Sequence, residues 1–229
     1  MYQRVDELIG NIVKDKSFVD VGPCFGTIYE KLSVAHFRGA KSLTAIDTYP
    51  EDCYLWLHLR RRLHNIPCTY HSMNVMDYNG NFDVVYCSGV IYHQPDPFTF
   101  MDKLYKLTDE HLVLKSTITD THINGKLFVP DGGCIFLPGV DEKTREIIAE
   151  DWKSFLSNCE AVLGLNAPHG EWTKNCWDWW WLFTEGFLVS LCKVTGFQVV
   201  SHEKIGKEVL IHCRKGQKFV PVNYHLMPL

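Results

Sequence analysis

The sequence holds no apolar run long enough to span a bilayer, and its first segment, MYQRVDELIGNIVKDKS, mixes acids among its apolar positions instead of forming a basic leader. A cytoplasmic protein with no membrane partner is the expectation. Excess positive charge is missing too. The 23 Lys and Arg against 27 Asp and Glu give a formal net charge of -4, which argues against holding nucleic acid chiefly by neutralising phosphates. The nine cysteines include no C-x-x-C pair, so no metal is expected, and thiols scattered through apolar surroundings suit a reducing compartment. Internal repeats and low-complexity tracts are also lacking. What is present is apolar content, 46% of 229 residues, enough for the core of a single domain over 1–229.

Hydrophobic periodicity organises that content. Leu8, Ile9, Ile12 and Val13 recur at helical spacing and predict a helix over 4–14. Short strands follow at 17–21, 42–47, 68–74, 82–88 and 111–116, separated by helices at 26–38, 51–65 and 98–107. Val84, Val85 and Tyr86 are apolar on both strand faces, the pattern of a parallel sheet covered on both sides. Strand and helix alternate, so the fold class expected is α/β: a doubly wound, Rossmann-like, mostly parallel seven-stranded sheet. From about 119 to 181 the alternation lapses into a region rich in Gly and Pro with one helical stretch at 143–156, read as an insertion or substrate lid. A helix over 182–195 and strands at 197–203 and 208–214 close the pattern as an antiparallel hairpin through Gly206.

Two features point to a ligand at the carboxyl ends of these strands, where open α/β sheets bind theirs. Val19-Asp20-Val21-Gly22-Pro23-Cys24-Phe25-Gly26 runs from strand through a glycine-bearing bend into a helix, and glycine lets a ligand approach backbone N–H groups without Cβ obstruction. Asp47, 21 residues beyond Gly26, ends the next strand, where a carboxylate can accept hydrogen bonds from two ribose hydroxyls. Capping a helix is the plainer role for the same acid. The bend lacks the closely spaced G-x-G-x-x-G of nicotinamide enzymes, which ranks a dehydrogenase below other nucleoside-binding functions.

With these residues the sequence resembles the class I S-adenosylmethionine-dependent methyltransferases over about Ser17 to Ser116 and again in the closing elements. The resemblance implies S-adenosyl-L-methionine as cofactor, with Asp20, Gly22 and Gly26 matching the family's first motif and Asp47 its ribose-binding acid. Asn74 and Val75 fall where the family places an acid and an apolar neighbour around adenine, and Ser88 closes the fourth strand on the cofactor side. Cys24 departs from the glycine that many members carry in the bend. The segment from Phe82 through Tyr92-His93 to Pro97 also resembles, in patches, the tRNA wobble-uridine carboxymethyltransferase family, which implies tRNA as an alternative partner and carboxy-S-adenosyl-L-methionine as an alternative cofactor. The mildly acidic charge balance favours the ordinary cofactor and a small-molecule acceptor, methylated on an O or N atom.

Tyr92 and His93 are the candidate catalytic pair. With an ordinary pKa of about 6.5, a histidine suits a general base at neutral pH, although one before Gln-Pro can equally pin a loop. Trp177, Trp179, Trp180 and Trp181 offer flat indoles, of which Trp179 and Trp180 are the candidate acceptor-stacking pair; the competing fate is to cap the core. Arg60-Arg61-Arg62 reads as a solvated helical face. A cofactor-binding module without catalysis is the remaining alternative.

Overall fold

A computed structural model describes residues 1–23, 30–50, 65–156 and 179–218. Gly26, the greater part of the helix expected over 51–65, the arginine triplet and Trp177 lie outside the described residues. Strands form at Ser17–Val21 (β1), Ser42–Asp47 (β2), Thr69–Ser72 (β3), Phe82–Ser88 (β4) and Thr108–Thr117 (β5). Two small ribbons follow, His122–Ile123 (β6) with Lys126–Leu127 (β7), and Cys134–Phe136 (β8) with Trp181–Phe183 (β9). Phe197–Ile205 (β10) and Glu208–Lys215 (β11) complete the strands, and the helices are Tyr2–Ile12 (α1), Leu32–Phe37 (α2), Pro97–Leu107 (α3), Glu142–Trp152 (α4) and Glu185–Val194 (α5).

Seven strands make one sheet in the order β10-β11-β5-β4-β1-β2-β3. Every neighbouring pair is parallel except those of β11, which runs against both β5 and β10. The Rossmann-like mostly parallel sheet with a closing antiparallel hairpin is therefore the fold of this chain. The order reverses at β1, flanked by β2 on one side and β4 on the other, and this switch point opens a crevice beyond the strands' carboxyl ends.

Period-two alternation divides the core into two layers. Val19 and Val21 of β1, Val85 and Cys87 of β4, and Leu112 and Leu114 of β5 face a layer holding Phe100, Met101 and Leu104 of α3 and Leu188 and Leu191 of α5. Phe18, Val84, Tyr86 and Val113, each next to one of these along its strand, face Val5 and Ile9 of α1 and Leu32 and Ala35 of α2. Burying each large apolar side chain contributes roughly 1.5–3 kcal/mol, so slipping one strand by one residue would forfeit several such terms at once.

Local chemistry sets where the elements begin. The Asp96 carboxylate accepts from the N–H groups of Phe98 and Thr99, and Pro97 takes the first helical position, which starts α3. Thr184 caps α5 in the same way through the Phe187 N–H. That cap corrects the helix expected from 182: Trp181–Phe183 is instead a strand whose partner is β8, and the helix begins at Glu185. Tertiary pairing overrides the apolar run that the two structures share. Among the described residues no helix is long and apolar enough to cross a membrane, and no three His, Cys, Asp or Glu side chains gather in a way that could hold a metal ion.

Candidate functional site

Four strand ends supply the walls of one open crevice with about 730 Å³ of empty space. Val21 and Gly22 come from the end of β1, Ile46 to Tyr49 from β2, Met73 to Val75 from β3, and Gly89, Val90, His93 and Gln94 from β4. Gly22, Asp47, Asn74, Val75 and His93, five of the residues that the sequence singles out, therefore meet in one place.

Gly22 adopts φ +69°, the left-handed region that favours glycine, while its N–H extends the ladder to the Ile46 carbonyl at 2.9 Å. A Cβ built there would lie 2.4 Å from Val90 Cγ2, so the bend after β1 and the loop after β4 close directly on each other. Asp47 is 8% exposed, and its Oδ1 accepts from the Tyr49 N–H at 3.2 Å, which curls the chain after β2 around the carboxylate. Asn74 caps a short 3-10 turn, Val75–Asp77, by accepting from the Met76 N–H at 3.0 Å, which leaves Val75 as a buried apolar wall. Gly89 has φ +74°, and its N–H donates to the Lys115 carbonyl on β5.

Other candidates stand elsewhere. Asp20 is not a lining residue; it lies 1% exposed within β1 and accepts from the Lys31 N–H at 3.0 Å, tying the strand to the chain entering α2. Ser88 ends β4 beside the crevice without lining it. Tyr92 is buried in a second 3-10 turn, Ile91–His93, and packs on Trp179 with ring centroids 3.8 Å apart. The expectation that Trp179 offers a stacking face to an acceptor needs correction: it is 5% exposed, with Tyr92 against one face and Trp152 set edge-on at 5.6 Å. Trp180 is half-buried beside Phe136, and its N–H donates to the Tyr92 carbonyl at 2.8 Å. Sequence reasoning missed Thr48, Tyr49, Met73, Gly89, Val90 and Gln94 as lining residues, although each lies within a few positions of a strand's carboxyl end, the signal that would have found them.

Burial pushes the Asp20 carboxyl up to about 7; the Lys31 N–H works against that rise, and the charges of Glu30 and Asp47 add to it. Between about pH 4 and 7 the folded chain keeps a proton that the unfolded chain has lost, so this group's contribution falls as pH rises, by on the order of 4 kcal/mol once above pH 7. Asp20→Asn keeps an oxygen for Lys31 and never ionises. Its melting temperature is expected to exceed that of the natural chain at pH 8 and to match it near pH 4; an equal difference at both pH values would show that the ionisation of Asp20 carries no such term.

The crevice fits an adenosyl group in kind: apolar Val21, Ile46, Met73 and Val75 suit a flat base, and a buried carboxylate at the tip of β2 suits a diol. Comparison with known proteins agrees. The family described as methyltransferase domain matches residues 1–202. No curated protein matches the sequence significantly. Magnesium protoporphyrin IX methyltransferase from Synechocystis, solved with bound S-adenosylhomocysteine, is similar at a TM-score of 0.58 and 14% identity over 94% of this chain and 83% of its own. The 1,6-didemethyltoxoflavin-N1-methyltransferase of Burkholderia thailandensis gives a TM-score of 0.59 and 14% identity over 93% and 78%. An S-adenosylmethionine-dependent methyltransferase from Aquifex aeolicus gives 0.55 and 12% over 93% and 89%. The resemblance to tRNA wobble-uridine enzymes finds no support among these matches. With strand order, crevice and family match in agreement, the chain belongs to the family described as methyltransferase domain.

Proposed function

We propose that this chain transfers a methyl group from S-adenosyl-L-methionine to an O or N atom of a small-molecule acceptor. The observation that carries the reading is the convergence of Gly22, Asp47, Asn74, Val75 and His93 on one crevice at the sheet's switch point. Asp47 accepts from the ribose hydroxyls, Asn74 and Val75 border the base, and the bend at Gly22 faces the amino-acid tail. When bound, the cofactor supplies a methyl carbon on a positively charged sulfur that leaves readily, so the protein needs to align the acceptor and to take its proton. In this reading His93, which lines the crevice, accepts that proton. Of the region 119–181, the described segments 119–156 and 179–181 serve the acceptor side in this reading, with Trp180 as contact and Trp179 as internal support. That two structural neighbours are named for a porphyrin and a toxoflavin precursor favours a small acceptor.

Calorimetry with S-adenosylmethionine and S-adenosylhomocysteine tests the cofactor, and both are expected to bind in the micromolar range or tighter. No heat from either at high micromolar concentration would remove the reading. With methyl-labelled cofactor and a cell extract, label is expected in the low-molecular-mass fraction; label confined to RNA would overturn the small-acceptor assignment.

A further inference from the structure

One wall of the crevice is a short turn pinned to the core by fully buried Ile91. Val90, His93 and Gln94 line the cavity from this turn, whose own hydrogen bonds run from the N–H groups of His93 and Gln94 to the carbonyls of Val90 and Ile91. Beyond Ile91, restraint from Trp179 reaches the turn chiefly through Tyr92, with the His93 ring also edge-on to the same indole at 5.9 Å. The Tyr92 ring lies against Trp179, tilted by 26°, and the Tyr92 carbonyl takes the Trp180 N–H. The hydroxyl end reaches Gly89, where an added Cβ would stand 3.1 Å from the phenolic oxygen.

Trp179 is fixed in turn. Trp152, fully buried at the end of α4, meets it edge-on at 89°. Above the Trp152 ring sits Lys207 Nζ, 5.3 Å from the centroid and paired with both Asp151 of α4 and Asp120 of the chain leaving β5. Lys207 belongs to the β10–β11 hairpin turn, and its carbonyl takes the Ile118 N–H at 2.8 Å. A continuous line of packed groups therefore runs from the hairpin through α4 and two indoles to the wall of the crevice.

We infer that Trp179 is a positioning residue, which acts through Tyr92 to hold the Val90–Gln94 wall in its binding geometry, with Trp152 and Lys207 as its anchor. The inference rests on the reading that this crevice takes the adenosyl cofactor. An indole at 179 gives its broad face to Tyr92 and meets Trp152 edge-on, so one side chain spans the gap between the turn and α4.

The test combines two measurements on Trp179→Leu, Trp179→Phe and, as a control for general destabilisation, Ile9→Ala on the opposite face of the sheet. In Trp179→Leu, S-adenosylhomocysteine affinity is expected to fall by about tenfold, the scale of one lost aromatic pair, and amide exchange at 91–94 to quicken while that of β1 and β4 is unchanged. Trp179→Phe should keep most of both properties. Ile9→Ala should lower the melting temperature with affinity within about twofold of the natural chain. Affinity unchanged in Trp179→Leu, or lowered equally in Ile9→Ala, would overturn the inference. Should the natural chain bind no S-adenosylhomocysteine, the cofactor reading falls, and the exchange rates at 91–94 still decide whether Trp179 holds the turn.

Discussion

Gly22→Ala is expected to lower S-adenosylhomocysteine affinity by roughly 100-fold. Two costs combine. A non-glycine residue at φ +69° carries strain of about 1 kcal/mol or more. Its Cβ would also arrive 2.4 Å from Val90 Cγ2, far inside contact distance, and Val90 is itself a wall of the crevice. Relief requires Val90 to turn out of its rotamer or the wall to move outward, and either reshapes the crevice, which turns a steric problem into a binding defect. Val90→Ala in the same chain removes the colliding methyl group and should restore part of the affinity, leaving the strain of the bend. Calorimetry on the single and double variants separates the two costs; a single variant that binds as tightly as the natural chain would show that the crevice does not depend on this bend.

Asp47→Ala is expected to weaken S-adenosylmethionine and S-adenosylhomocysteine alike. Hydrogen bonds from hydroxyls to a charged acceptor contribute about 1.5–3 kcal/mol, which corresponds to roughly 10- to 150-fold in affinity. Asp47→Asn should fall between, since one oxygen remains to accept. Because Asp47 is one of the charges that hold the Asp20 carboxyl up, either substitution should also move the Asp20 ionisation downward. An adenine-only ligand gives the control: its affinity should be unchanged by Asp47→Ala. Equal losses for adenine and for the full nucleoside would place Asp47 in the architecture of the crevice instead of at the sugar.

The sheet was legible because its signal is local. Ser42–Asp47 and Phe82–Ser88 are strands with the bounds that their apolar runs predict, and the alternation of strand and helix specifies the parallel order. Legibility ended where one stretch of sequence satisfies two structures. Trp181–Phe183 is apolar enough for either helix or strand, and pairing with Cys134–Phe136, more than forty residues earlier, decides between them. The same holds for the tryptophans. Exposure separates a stacking platform from a core side chain, and nothing in the residue type encodes it, so Trp179 and Trp180 read alike and ended up in different surroundings. The places of Asp47 and Gly22 were readable for the opposite reason: position at a strand's end is a property of the chain's rhythm, and both line the crevice there.

The antiparallel placement of β11 has a consequence during synthesis. Lys115 and Glu208, an ion pair between β5 and β11, stand 93 residues apart. At ribosomal speeds of about 5 to 20 residues per second, the apolar flank of β5 waits roughly 5 to 20 seconds for the strand that will cover it. In that interval the nascent chain presents unsatisfied amides and carbonyls to whatever is nearby, and this edge is where a chaperone would have the most to protect.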